Sequence, residues 1–212
     1  MKIIANDCCG ARIYNGVLKE NYKTPFIWTR IHNRCFYNLC KQYDLLNFND
    51  FELIKENDKM LFSMSFNDIK ILFEHIIFNP KYNNPTKITP DIHYNKPWKY
   101  IYEKWNERLD RMKNESNEPI FVFHLDENYI KLYDGKEYLY KIIDLFKQNN
   151  KKCLVMTDFD DEYLYNLPNN IKYIKIGSPK NVSQWMSDIS GNKNQEIFKA
   201  LNALNDLNEK II

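Results

Sequence analysis

Pro119-Ile120-Phe121-Val122-Phe123-His124 is a continuous apolar run opened by a proline and closed by a histidine. A half-buried strand alternates apolar and polar residues, whereas a strand covered on both faces reads as one unbroken apolar run. This stretch is therefore expected to lie in the middle of a sheet. Cys153-Leu154-Val155-Met156 is a second such run, and Tyr173-Ile174-Lys175-Ile176 reads as a third buried strand. Between the first two, Tyr138, Leu139, Ile142, Ile143 and Phe146 recur at helical spacing. Upstream, Trp98, Ile101, Tyr102, Trp105, Leu109 and Met112 form an apolar stripe on one helix face, closed by Asn114 to Asn117. Ile197, Leu201, Leu204 and Leu207 mark a final helix. The order helix–strand–helix–strand–strand–helix favours parallel strands with helical crossovers.

The amino-terminal half is less regular. Lys2 to Ala5 is a short first strand, with Asn6-Asp7 as a cap before a helix starting at Cys8. Ile31, Cys35, Leu39, Tyr43 and Leu46 predict one helix over residues 29–46, with Cys35 and Cys40 as packing residues. Residues 60–64 and 69–77 predict two strands, paired as a hairpin around Ser65-Phe66-Asn67-Asp68. Residues 79–97 hold four prolines among many asparagines, an irregular loop of the length that suits a lid. No linker composition interrupts the chain. The expectation is one α/β domain over residues 1–212, a central mostly parallel or mixed sheet flanked by helices.

Composition excludes several function classes. Only five glycines occur in 212 residues, and no Walker loop, GxGxxG or GxSxG motif is present. Kinase, dinucleotide-dehydrogenase and serine-hydrolase readings lose their main support. The net charge is +2 with acids and bases interleaved, which leaves no nucleic-acid footprint. No apolar run approaches the roughly 20 residues of a membrane span. Cysteines stand at 8, 9, 35, 40 and 153 with no zinc spacing. An odd number of thiols and no export signal suggest a reducing, cytoplasmic setting.

Ile3-Ile4-Ala5-Asn6-Asp7-Cys8-Cys9-Gly10, followed by Tyr22-x-x-Pro25-Phe26, resembles the opening of an uncharacterised bacterial family whose members are labelled exopolysaccharide-biosynthesis proteins. Asp68 to His75 is similar to that family's strand ending in histidine. Residues 103–111 resemble its Lys-Trp-x-x-Arg-x-x-Arg helix. Ala11 departs from the pattern, which usually has a second glycine there. The segment after His75 is longer than typical and carries His93 as a second match for the family histidine. Pro25-Phe26-Ile27-Trp28 is also similar to a motif of papain-like cysteine peptidases, without its aspartate. The resemblance implies a role in bacterial surface-glycan synthesis or modification, with a glycan or glycan precursor as partner.

Three constellations could carry chemistry. Cys8, where a strand turns into a helix, is placed for a lowered thiol pKa, and His75 at a strand end is the candidate base, with Asp68 or Asp126 to orient it. Packing of Cys8 and Cys9 as small buried residues explains the same pattern. Arg108 and Arg111, three apart on a helix, together with His93, His124 and Asp126, are candidate substrate contacts. Both arginines could instead pair with Glu107 or Asp126. Asp158 and Asp160, after the strand at 153–156, would hold Mg²⁺ or Mn²⁺ with a nucleotide sugar in the alternative reading of a metal-dependent sugar transferase. Acidic capping of a turn accounts for them equally. The leading reading is a Cys–His hydrolase or acyltransferase that needs no cofactor. A non-catalytic partner in a glycan assembly complex is the third.

Overall fold

The computed structural model describes residues 2–7, 26, 29–46, 52–55, 62–73, 106–112, 114, 117–125, 134–176 and 195–209. In chain order the elements are β1 (Ile3–Ala5), β2 (Thr29–Ile31), α1 (Asn33–Gln42), β3 (Glu52–Lys55), β4 (Phe62–Phe66), β5 (Ile69–Phe73), α2 (helical at 106–112), β6 (Ile120–Leu125), α3 (Gly135–Asn149), β7 (Lys152–Thr157), β8 (Ile171–Lys175) and α4 (Gln195–Glu209). Short 3₁₀ turns occupy Tyr43–Leu45 and Glu162–Leu164.

The three strands expected at 120–124, 153–156 and 173–176 form a parallel sheet together with β1. Its order is β1-β6-β7-β8, and every neighbouring pair is parallel. Strand alternation sorts the side chains into two faces. Ile4, Phe121, Phe123, Leu125, Cys153, Val155 and Ile171 share one face and one core cluster with Phe36, Leu39 and Cys40 of α1. From α3 the same cluster takes Leu139, Ile142, Ile143 and Phe146, an i, i+3, i+4, i+7 stripe. Ile3, Ala5, Val122, Leu154, Met156 and Ile174 face the other way and are also buried. Helix α4 packs against β7 and β8. Its buried Ala200, Ala203, Leu204 and Leu207 fall outside the first cluster, which places α4 on that second face. The sheet is thus covered on both sides, and that is why β6 and β7 carry no polar alternation, while the edge strand β8 keeps Lys172 and Lys175.

Asn150 closes α3 in the left-handed conformation (φ 54°), the usual role of a glycine or asparagine past a helix end. The chain then enters β7 within two residues. Burial pushes the Cys40 and Cys153 thiols well above the ordinary thiol range. Both are therefore inert packing residues. Cys35 is half-buried.

Two expectations change. The helix predicted over 29–46 begins only at Asn33. Residues 29–31 are extended because they pair antiparallel with β5, and the Ile31 N–H donates to the Asn6 carbonyl (2.7 Å). Helical spacing counted Ile31 correctly as a core residue but gave it the wrong backbone. The hairpin strand runs over 62–66 rather than 60–64, and its turn is two residues, Asn67-Asp68, with Asn67 at φ 49°. That hairpin belongs to a second, antiparallel sheet of order β2-β5-β4-β3. Ile31, Ile69 and Ile71 join the main core, and α1 packs against β5.

Candidate functional site

The carboxyl edge of a parallel sheet gathers the residues that follow each strand. Here β1 leads into Asn6-Asp7, β6 ends at His124-Leu125, β7 leads into residues 157–161, and β8 ends at Lys175. The parallel register Ile3↔Ile120, Ile4↔Phe121, Ala5↔Val122, carried two residues further, sets Asp7 beside His124 on one face.

Asn6 fixes this corner. It is 5% exposed. Its Nδ2 donates to the His124 carbonyl and its Oδ1 accepts from the His124 N–H, both at 2.8 Å. One partner only accepts and the other only donates, so the amide has one possible orientation. Its backbone N–H reaches the Val122 carbonyl (3.2 Å), and its own carbonyl receives the Ile31 N–H. Asn6 therefore clips β6 to β1 and joins the antiparallel sheet to the same point.

The His124 Nδ1 is hydrogen-bonded to Asp7 Oδ2. The histidine side chain is 10% exposed and the aspartate 27%. An ionised carboxylate only accepts, so the ring proton sits on Nδ1. In the neutral ring Nε2 is then the basic nitrogen. A carboxylate that orients an imidazole and stabilises its cation is one arrangement that general-base catalysis uses.

The acidic stretch after β7 is engaged within the fold. Thr157 is fully buried, and its Oγ1 donates to the Phe159 carbonyl (2.7 Å). The Tyr173 hydroxyl donates to the same carbonyl (3.0 Å). Asp160 is ion-paired with Lys175, and that hydrogen bond raises the lysine pKa. Asp161 is buried and accepts from the Tyr163 N–H, the Tyr140 hydroxyl and the Lys136 ammonium, each at 2.9 Å. Burial pushes the Asp161 carboxyl upward. The Lys136, Tyr163 and Tyr140 hydrogen bonds outweigh it and hold the pKa below the usual carboxylate range. Asp161 thereby ties the loop after β7 to α3.

A pH dependence follows. A depressed native pKa adds stability that is present above the unfolded carboxyl value of about 3.9 and is lost as pH falls through the native one. Asp161→Asn should lower stability at neutral pH by about 1 kcal/mol and flatten the fall of stability in acid. Urea midpoints compared at neutral and acid pH test this. Equal acid sensitivity in both proteins would mean Asp161 does not carry the effect.

The sequence-derived candidates are spread unevenly. His124 lies at the carboxyl edge. Asp158 is half-buried just past β7, and Asp160 is exposed beside it. Arg108 and Arg111 lie on α2, whose Leu109 and Met112 enter the core. Arg111 is paired with Glu107 one turn back. Asp68 is exposed in the hairpin turn. Cys8, His75, His93 and Asp126 lie outside the described residues. Among the described residues, no cluster of three or more His, Cys, Asp or Glu is arranged to hold a metal ion. No helix among them is long and apolar enough to cross a membrane. Asn6 and Asp7, read in the sequence as a helix cap, are the site residues that reading missed. Pairing β1 with β6 would have found them.

Residues 1–85 match the model of a family described as Domain of unknown function (DUF1919). That stretch holds Asn6, Asp7 and the whole antiparallel sheet, while His124 lies beyond it. No curated protein and no solved structure matches the chain.

Proposed function

We propose that this chain is an enzyme of acyl transfer or hydrolysis acting on a glycan or glycan precursor, with Cys8 as nucleophile and the Asp7–His124 pair as its base. The observation that carries this reading is the carboxylate-oriented imidazole at the carboxyl edge of a parallel sheet. Cys8 follows Asp7 directly, and consecutive Cα atoms are about 3.8 Å apart. We take His124 as the base; His75, the base expected from the sequence, lies outside the described residues. The glycan assignment draws on the resemblance of residues 2–160 to surface-polysaccharide proteins.

The steps balance. His124 Nε2 takes the Cys8 thiol proton, and the thiolate attacks the carbonyl carbon of an acyl ester. The C–O bond breaks, the sugar oxygen leaves with the proton from the imidazolium, and a thioester remains. Water or a second hydroxyl, deprotonated by His124, attacks the thioester carbonyl; the C–S bond breaks, and the imidazolium returns the proton to the leaving thiolate. Loss of a general base of this kind slows such a reaction roughly 10²–10⁴-fold.

The test is iodoacetamide labelling of Cys8 across pH, read by peptide mass spectrometry. Cys8 should label well below the free-thiol value of about 8.5. His124→Gln should abolish that advantage, and His75→Gln should leave it. A Cys8 that labels like an ordinary thiol sinks the mechanism. Loss in His75→Gln alone would return the base to His75.

A further inference from the structure

We infer that Tyr165, with the Asp160–Lys175 ion pair beside it, forms an accessory glycan subsite that stacks on one sugar ring. The other described tyrosines are engaged within the fold. Tyr37 and Tyr138 pack ring to ring, Tyr43 meets Phe121, and the hydroxyls of Tyr140, Tyr163 and Tyr173 each donate to an oxygen. Among the described residues Tyr165 has neither a ring contact nor a hydroxyl partner, and it is 55% exposed. That exposure is built into a fixed loop. The Asp161 carboxylate accepts the Tyr163 N–H, the Leu164 N–H donates to the Asp161 carbonyl (2.9 Å), and the Tyr165 N–H donates to the Glu162 carbonyl (3.1 Å). Leu164 is buried in the core and Leu167 packs against it. Between them Tyr165 is extended (φ −91°, ψ 154°), and Asn166 turns the chain in the left-handed conformation (φ 57°).

The surroundings suit a sugar. The Tyr165 phenol lies within electrostatic reach of Lys175 and Tyr173, so it stands by the carboxyl end of β8. Lys175 and Asp160 are paired there, and both side chains are exposed. A pyranose carries axial C–H groups on a ring face and hydroxyls around its rim. The electron-rich face of an aromatic ring attracts such C–H groups. A carboxylate accepts from hydroxyls, and an ammonium donates to them. An exposed ion pair adds little to stability, so sharing it with a ligand costs little. A two-torsion side chain on a fixed loop also loses little freedom on binding. Strand alternation sets Lys175 on the α1 and α3 side of the sheet with Ile171, and His124 on the α4 side with Val122. The subsite is therefore separate from the Asp7–His124 corner and holds a glycan without entering the reaction. Only the choice of a glycan rests on the proposed function.

The experiment is a titration of the full chain, its tyrosine rings ¹³C-labelled, with cellotetraose, maltotetraose and chitotetraose, and with adenosine as a flat aromatic control. At least one tetrasaccharide should shift the Tyr165 ring signals saturably. Tyr165→Phe keeps the ring and should bind as wild type does. Tyr165→Ala should weaken binding about fivefold or more, and Asp160→Asn severalfold. Tyr165→Ile, apolar but without a ring, should lose as much as Tyr165→Ala. The ring is exposed, so thermal melting should stay unchanged in all of them. No saturable shift at Tyr165 with any tetrasaccharide overturns the subsite, as does tetrasaccharide binding that Tyr165→Ala leaves intact. Full binding in Tyr165→Ile overturns the stacking, and adenosine binding as tightly overturns the sugar assignment. Cys8 in Tyr165→Ala should label as in wild type, and a changed profile would overturn the separation from the catalytic corner. Binding is read without turnover, so inert Cys8 would sink the reaction and leave the titration standing.

Discussion

Phe121→Ala should destabilise the chain by about 3–5 kcal/mol, the usual cost of emptying a buried phenylalanine site. Phe121 is fully buried at the centre of the parallel sheet. Its ring meets Phe146 of α3 at 5.2 Å between centroids and Tyr43 at 5.3 Å, edge-on at 88°. Phe36 of α1 approaches it at 6.5 Å. Three elements therefore lose a contact together, and aromatic pairs add about 0.5–1.5 kcal/mol beyond area burial. Phe36 is held in turn by stacking on Phe123 (5.6 Å, 16°), which limits how far it can move into the gap. Whole domains are stable by only about 5–15 kcal/mol, so this one change removes a large share. Urea unfolding should show a lower midpoint with an unchanged slope. A loss under about 1 kcal/mol would mean the core collapses freely around this position. The buried Cys40 and Cys153 thiols give a second readout, since they become alkylatable only on opening.

The parallel sheet was legible because its strands are buried on both faces. Residues 120–124 and 153–156 have no polar alternation, and only a central position in a covered sheet explains that. The stripes Leu139-Ile142-Ile143-Phe146 and Leu204-Leu207 were legible for the same reason, with a helical period. The antiparallel sheet was only half legible. Its hairpin showed in the sequence, but three-residue β2 is too short to carry a pattern. Residues 29–31 take their backbone from partners distant in sequence, β5 and the Asn6 carbonyl.

The site was legible in parts that the sequence could not join. His124 stood out as a histidine at the end of an apolar run. Asp7 did not, because Asn-Asp after a short strand reads as a cap. Their meeting depends on β1 pairing with β6 across more than a hundred residues, and no local period encodes such a pairing. Asp158 and Asp160 show the converse. Their spacing suggested metal ligands, and the sequence could not show that Lys175, from β8, pairs with Asp160, or that Lys136 and Tyr140 of α3 engage the neighbouring Asp161.

Asn6→Ala should cost about 2–4 kcal/mol and also change the state of the His124 ring. The substitution leaves the backbone bonds of residue 6 to Val122 and Ile31 in place, so it isolates the side chain. What is lost is the pair of 2.8 Å bonds to the His124 N–H and carbonyl. Each such bond contributes about 0.5–1.5 kcal/mol net, and each buried group left unmade costs about 1–3 kcal/mol. The His124 backbone can then shift, and its ring sits directly on Asp7. With that hydrogen bond loosened, the proton should redistribute from Nδ1 toward Nε2, and imidazole ¹⁵N shifts report the change directly. The pH advantage of Cys8 labelling should fall with it. If stability drops but the tautomer and the labelling profile stay as in wild type, Asn6 only clips two strands together. If neither changes, water replaces the amide, and the corner owes its geometry to the backbone ladder alone.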